Sequence, residues 1–403
     1  MTRTPPSTRI AVLGGAGAMG QIAARDLCET APADVEVVVS DLNSRRANAL
    51  VRRLRALCPA RRVRAVAVDV AHPTAAAKML RGAFGIINCC HHDLNLRAMQ
   101  LALATGSHYV DLGGLFHVTR QQLKLHAQFK KRGLLALLGM GAAPGVVNVL
   151  ARAAADGMDL VREIHIAVAG TDRATHPENR PLAASYSIQT VLDEASLPAP
   201  TFTHGRFGWA PAMSDPETID FPDPVGTRRP SRTIHSEVAT LPLSFRKKGI
   251  REVSFRIAFP PDLDRQLRLT SALGLLSREP IEVGRVRIAP RDVLMALLKQ
   301  MPKPPAAGAP DEYEILRVAV HGEQQGRPVE EVMTCHAPGV PAWGFGVDAD
   351  TGCPPSIAIQ LLLRGEIKTR GVLPPEVAVP VAPFVAELDR RGMRVDRVSG
   401  RRQ

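Results

Sequence analysis

Aromatic residues make up only 4% of this 403-residue sequence, with two tryptophans and three tyrosines. The core must therefore be built mainly from Ala, Val, Leu and Ile, and a nucleic-acid surface of interleaved aromatics and cations has little to draw on. Lysine is scarce as well: nine of the 51 basic residues, the other 42 being arginine. The net charge of +12 is spread along the chain, in clusters no larger than Arg52/Arg53/Arg55, Arg61/Arg62 and Arg228/Arg229 before the tail from Arg390 to Arg402. That dispersion argues against DNA or RNA as a partner and suits the steering of anionic ligands. The six cysteines (Cys28, Cys58, Cys89, Cys90, Cys335, Cys353) form no CxxC pair and no cluster with zinc spacing, so free thiols and no metal are expected. Met1 to Arg9 is polar and Pro-containing, with no apolar h-region ahead of a cleavage site of the kind a signal peptide carries. The most apolar stretch, Leu134 to Ala151, is broken by Gly139, Gly141, Pro144, Gly145 and Asn148, poor material for a membrane span. A cytoplasmic chain with no membrane partner is the expectation.

What is present is ordinary globular composition, 45% apolar and 22% charged, in a length that accommodates two or three domains. Arg9 to Leu13 is an apolar run that leads at once into Gly14-Gly15-Ala16-Gly17-Ala18-Met19-Gly20, and a helical pattern follows from Gln21 to Thr30. Gly15, Gly17 and Gly20 satisfy GxGxxG, in which the glycines permit the turn, the approach of a pyrophosphate and close helix–strand packing. The motif alone is weak; its setting strengthens it. A second apolar strand, Val35 to Ser40, ends at Asp41, where an acidic group grips the adenosine ribose of a dinucleotide. The carboxylate repels a 2′-phosphate and favours NAD, whereas Arg45 and Arg46 could hold that phosphate and leave NADP open.

The alternation continues. Strands are predicted at Val63–Val68 (ending at Asp69), Phe84–Asn88 (running into Cys89-Cys90-His91-His92), His108–Val110 (ending in Asp111) and Leu134–Leu138. Helices are predicted at Thr74–Leu80, Leu94–Thr105 and Val118–Arg132. The fold class is α/β: a Rossmann-type doubly wound parallel sheet, with ligands beyond the carboxyl ends of its strands. His91 or His92 could border a nicotinamide there, or both are solvated loop residues.

Tyr109-Val110-Asp111-Leu112-Gly113-Gly114, followed by Gly141-Ala142-Ala143-Pro144-Gly145-Val146-Val147-Asn148, resembles the saccharopine dehydrogenase-like family, closest in appearance to its L-lysine 6-dehydrogenase branch. Arg180-Pro181-Leu182 with Ser185-Tyr186-Ser187 looks like the family's entry to the substrate domain. Thr351-Gly352-Cys353-Pro354-Pro355-Ser356-Ile357 and Gly371-Val372-Leu373-Pro374-Pro375-Glu376 match its closing segment. The resemblance implies a Rossmann domain over 1–145, an inserted α+β substrate domain with a mixed sheet over 146–345, and a segment 346–390 returning to the first domain. A basic tail over 391–403 reads as disordered. Strands at Glu163–Ala169 and Glu314–His321 and a helix at Arg291–Gln300 are expected in the second domain, with Pro198–Pro230 a long loop or lid.

The implied activity is NAD(P)-dependent oxidation or reduction at a CH–NH bond of a small amino-acid or amine substrate, with lysine's ε-amine oxidised to the semialdehyde in the named branch. Asp111 and His126 are the candidate catalytic residues. Asp111 either handles the amine proton or simply accepts from the Gly113 and Gly114 amides. His126 aligns where saccharopine reductases carry a substrate-binding aspartate, which argues against saccharopine itself, or it is an ordinary surface histidine. Arg180 and Arg173 are candidates for a carboxylate clamp, with Tyr186 and Ser187 adding hydrogen bonds. Gly15, Ala16, Gly17, Ala18, Met19, Gly20, Asp41, Arg45, Asp69, Cys89, Cys90 and Gly141 are expected to line the cofactor. A homodimer is expected. The competing readings are an imine reductase of the same family, acting on an opine, saccharopine-like or polyamine substrate, and a dinucleotide-binding sensor without turnover.

Overall fold

A computed structural model describes residues 8–173, 181–182, 187–301 and 311–400. The first unit is a seven-stranded parallel sheet. Its strands β1 (Arg9–Leu13), β2 (Glu36–Asp41), β3 (Arg62–Ala67), β4 (Gly85–Asn88), β5 (His108–Asp111) and β6 (Leu135–Leu137) are joined at the β6 edge by Gly371–Leu373. The order runs Gly371–Leu373, β6, β5, β4, β1, β2, β3, so the topological switch lies between β1 and β4. Both faces are covered, by α1 (Ala18–Thr30), α2 (Ser44–Leu57), α3 (Pro73–Leu80), α4 (Asn95–Thr105), α5 (Leu115–Leu123) and α6 (His126–Lys131). Burial on both faces explains why β1, β2 and β4 read as unbroken apolar runs (Ile10-Ala11-Val12-Leu13, Val37-Val38-Val39, Ile86-Ile87) rather than alternating ones.

Helix α7 (Val146–Ala155) carries the chain out of this sheet and is buried along nearly its whole length. It leads to β7 (Leu160–Asp172), near the centre of a mixed sheet. In order, that sheet holds Arg394–Gly400, Arg327–Ala337, Glu312–Gln324, β7, Glu252–Ala258, β8 (Ala199–Thr203) and β9 (Arg206–Ala210), with Ser231–Arg232 also pairing Glu252–Ala258. β7 alternates: Ile164, Ile166 and Val168 join the core containing α7, while His165, Ala167 and Ala169 point to the opposite face. The helix Pro354–Leu363 then packs on the first unit, where Ile359 fills the space a side chain on Gly85 would take.

Four expectations are corrected. The sheet has seven strands because Gly371–Leu373 arrives from far along the chain, which local periodicity does not register. The helix expected over Val118–Arg132 is two helices, α5 and α6. The stretch Pro198–Pro230 is not a plain loop: β8 and β9 form a hairpin at the edge of the mixed sheet. Within the tail expected to be disordered over 391–403, Arg394–Gly400 is a strand on Arg327–Ala337. Arg397 finds Glu331 on that neighbour at 2.7 Å and Arg394 pairs with Asp396 of its own strand at 2.9 Å, so the charge that suggested disorder is matched locally.

Among the described residues, no helix is long and apolar enough to cross a membrane.

Candidate active site

The β1–α1 turn is shaped by close backbone contact. The Gly15 amide donates to the Ser40 carbonyl (3.0 Å) and the Gly17 amide to the Gly14 carbonyl (2.9 Å). A Cβ on Gly20 would fall on the Gly14 carbonyl and 2.7 Å from the Gly15 Cα, so helix and strand touch where only glycine fits. Ala18 and Met19 follow as the first turn of α1, whose amides have no partner within the helix and face an anion at its start. Asp41 ends β2 beside this turn: one oxygen accepts from the Ala16 amide (3.0 Å), the other from the Asn43 amide (2.8 Å). Arg46 reaches back to the Ala16 carbonyl at 2.8 Å, while Arg45 is exposed. Asp69, past the end of β3, accepts from the Ala71 amide. Cys89 and Cys90 leave β4 on the other side of the switch point, the Cys89 carbonyl lying 3.0 Å from where a Cβ on Gly14 would be. Burial keeps both thiols protonated, Cys90 with its pKa pushed up to about 12. The cradle fits a dinucleotide: glycines where a diphosphate must approach, helix amides facing it, and a carboxylate at the end of β2.

Asp111 is fully buried at the end of β5 and accepts four hydrogen bonds. One oxygen takes the amides of Gly113 (3.0 Å) and Gly139 (2.7 Å), the other the Tyr109 hydroxyl (3.0 Å) and the Gln122 amide (2.6 Å). Burial raises its pKa while these donors oppose the rise. Asn88 donates to Tyr109 and to Asn95, and Asn95 donates to the Gly113 carbonyl, so one network ties β4, β5, α4 and α5 together. The carboxylate holds the two glycine turns against Pro144, which packs within 3 Å of Cβ positions at both Gly113 and Gly139. Gly141 closes its own loop on the Pro144 carbonyl at 2.7 Å.

Across from these turns the second unit places buried acids. Glu194, at the end of the helix Ile188–Glu194, lies 3.3 Å from His235 Nε2, and Glu237 lies 3.2 Å from His235 Nδ1. The imidazole stacks on Phe255 at 3.6 Å. Burial alone would lower the pKa of His235, but the two carboxylates outweigh it and hold it up at about 9. Ser236 Oγ is 3.7 Å from a Cβ position on Gly113, which puts this group beside the β5 turn. A second set adjoins it. Burial lifts Glu314 to about 7, with Glu312 and Glu194 adding to the rise and a hydrogen bond from Asp350 opposing it. Asp348 is lifted to about 7 by burial and then by Glu312 and Glu314, and Asp350 rises for similar reasons. Thr351 packs 3.3 Å from a Cβ position on Gly141, so the acids lie at the junction of the two units.

A domain family described as saccharopine dehydrogenase NADP binding domain matches residues 10–137, and one described as saccharopine dehydrogenase C-terminal domain matches 141–393. The chain belongs to the saccharopine dehydrogenase family. It is 24% identical over 397 residues to the carboxyaminopropylagmatine dehydrogenase of Synechocystis sp., covering 94% of this chain and 95% of that protein. Its fold is similar to that of the saccharopine dehydrogenase (L-Glu forming) of Saccharomyces cerevisiae, with TM-score 0.73, 17% identity, and 98% and 100% of the two chains covered. A homospermidine synthase from Legionella pneumophila, solved in complex with NAD, is also similar, with TM-score 0.63, 13% identity, and 97% and 91% covered. The first unit is thus the NAD(P)-binding domain of a family of oxidoreductases.

Within this family member the two residues expected to be catalytic are not brought together. His126 packs on the sheet edge: its Nδ1 lies 3.1 Å from the Val372 carbonyl, and its ring occupies the space above Gly371. The edge strand leaves a backbone oxygen pointing outward, and the imidazole covers it. Asp111 is saturated by four donors, the alternative the sequence left open. Arg173 is exposed and paired with Asp311 at 2.6 Å. Ser187 is exposed at the start of the helix Ile188–Glu194; Arg180 and Tyr186 fall outside the described residues. The His91 and His92 rings lie 4.0 Å apart, tilted by 37°, and His92 reaches toward Asp193 of the second unit at 3.8 Å. Asp193 is already held by Arg278 and Arg291, and burial lowers the pKa of His92 to about 4, so this contact is a neutral imidazole meeting a satisfied carboxylate. Sequence reasoning missed Glu194, His235, Glu237, Glu314 and Asp350. The available signal was charge within apolar surroundings, as in Ile234-His235-Ser236-Glu237-Val238-Ala239.

Asp41→Ser is expected to raise the ratio of NADP to NAD affinity about tenfold by removing a charge from beside the 2′ position. Titrating both reduced cofactors checks this, and an unchanged ratio means Asp41 serves only the Ala16 and Asn43 amides.

Proposed function

We propose that this chain is an NAD(P)-dependent oxidoreductase acting at the carbon–nitrogen bond of a substrate with further cationic groups, a polyamine or guanidino-amine conjugate. The observation that carries the reading is the set of carboxyls at the domain junction: Glu194, Glu237 and Asp350, each at most 3% exposed, with the half-buried Glu314 beside Asp350. Carboxylates placed so deep and so close are costly unless a cation joins them or they hold protons. An ammonium or guanidinium entering the junction relieves both desolvation and mutual repulsion. The nearby Arg278 and Arg291 are both committed to Asp193, which leaves them poor clamps for the carboxylates of a saccharopine-like substrate. The Synechocystis relative supports the reading through its name, since agmatine is a guanidino-amine.

Bound nicotinamide supplies the hydride acceptor for oxidation or the donor for imine reduction. Oxidation removes one hydride from carbon and one proton from nitrogen, leaving the imine. His235, flanked by Glu194 and Glu237, holds a proton near neutral pH, suited to delivery onto nitrogen in the reductive direction and to its recovery at higher pH. Asp111 fixes the turns at Gly113 and Gly139 opposite it. NAD is the preferred cofactor on the strength of Asp41. Oxidation of lysine's ε-amine is the second reading, favoured by the sequence resemblance, and it would use the same acids for a single cation.

The test follows absorbance of reduced cofactor, with NAD and NADP separately, against carboxyaminopropyl conjugates of agmatine and of diamines, lysine, ornithine and saccharopine. The conjugates are expected to exceed lysine and saccharopine at least tenfold in kcat/KM. Preference for saccharopine, or tight dinucleotide binding without turnover on any amine, sinks the reading. Because Glu314 and Asp348 ionise near pH 7, KM for a cationic substrate is expected to fall as pH rises through 7. Glu314→Gln should flatten that fall; an unaltered KM–pH profile would remove Glu314 from the cation's surroundings.

A further inference from the structure

The face of the mixed sheet that points away from α7 carries an unrelated cluster. Glu163 on β7 is paired in register with His321, and His321 with Glu330 on the next strand, so three side chains on adjacent strands form one cross-strand row. His165 lies two residues from Glu163 on the same face of β7. The ligand atoms of Glu163, His165 and His321 all lie within 4.8 Å of one another. His165 and His321, with Glu330, open on a cavity of about 140 Å³, rimmed by Glu217 and Ile219 from the segment between β9 and Glu252–Ala258.

We propose that Glu163, His165, His321 and Glu330 form a binding site for a divalent transition cation of the Zn²⁺ type. Two imidazoles and two carboxylates are a donor set such a borderline cation accepts. With bonds of about 2.05 Å, ligand atoms at tetrahedral corners stand about 3.4 Å apart. His165 Nε2 to Glu163 Oε2 is 3.3 Å, and Glu163, His165 and His321 form the preassembled part of the site; Glu330 Oε1, 3.8 Å from His321 Nε2, joins it by a movement of its side chain. His165 also has an outer partner. Its Nδ1 lies 2.8 Å from Ser254 Oγ, which accepts from Arg256 at 3.0 Å. A proton on Nδ1 donated to that oxygen leaves Nε2 with its lone pair toward the cluster, the tautomer that ligates metal. Two guanidiniums line the same cavity, Arg256 and Arg317. Arg256 is paired with Asp215 at 2.8 Å and Glu217 at 3.2 Å, and Arg317 faces Glu330 and Glu217, so three carboxylates already meet these two cations before any metal enters. A β-bulge follows His321, where pairing slips before Gly322, a common device for aiming side chains at a site. The row binds strands distant in sequence, so an occupied site would staple the sheet face independently of the dinucleotide.

The test is calorimetric titration of the full, tag-free chain with ZnCl₂, paired with the absorption spectrum of the Co²⁺ form. One ion per chain is expected at micromolar affinity or tighter, with cobalt ligand-field bands and no sulfur charge-transfer band. His321→Ala and Glu163→Gln are expected to weaken binding at least tenfold, and Ser254→Ala to weaken it in the same direction, while all three keep NADH affinity, which shows that they fold. Absence of stoichiometric binding overturns the proposal. So does affinity unchanged in both His321→Ala and Glu163→Gln, or a charge-transfer band placing the ion on a cysteine.

Discussion

Gly20→Ala is expected to raise the dissociation constant for NADH at least 100-fold, a loss of about 2.7 kcal/mol. The added methyl meets the Gly14 carbonyl and the Gly15 Cα, all backbone, so no side chain can swing aside. The turn has to open, and opening it separates the helix-start amides from the diphosphate position and slackens the Ala16–Asp41 contact. A matched control isolates that effect from general glycine strain. Gly106 caps α4 at φ +70° with nothing within 4 Å of its Cβ position, so Gly106→Ala should cost only about 1 kcal/mol in stability and leave NADH affinity alone. Isothermal titration of both variants decides it. Wild-type affinity in Gly20→Ala would mean that the dinucleotide does not sit on this turn.

Asp111→Ala is expected to destabilise the first domain by about 3–5 kcal/mol, because four buried donors lose their acceptor at once. The Gly113 and Gly139 amides, the Tyr109 hydroxyl and the Gln122 amide have no solvent to turn to. Asp111→Asn keeps the shape but brings two donors of its own toward groups that themselves donate, so it should recover only part of the loss. Thermal or urea unfolding with and without NADH measures this. A purely catalytic Asp111 would instead leave stability near wild type and remove turnover, the outcome that defeats the positioning role.

The first domain was readable because its determinants are local. An apolar run, a glycine turn and a helix in immediate succession admit few arrangements, and strand burial on both faces keeps the runs continuous. The same reasoning located Asp41 and Asp111 at strand ends. It failed at His126, since nothing local says that residues 371–373 will form the strand it covers. It failed again at Arg394–Gly400, where basic composition suggested disorder although Arg327–Ala337 offers a pairing edge.

The sequence by itself determined the dinucleotide cradle, the parallel sheet and the family, because each depends on residues within about 30 positions of one another or on motifs carried whole. Only the tertiary structure decided which charged groups share a site. Glu194, His235, Glu314 and Asp350 are drawn from across more than 150 positions and meet because α7 and the returning C-terminal segment bring the two sheets together. Burial then sets their chemistry: desolvation and mutual repulsion exist only once the chain has folded around them.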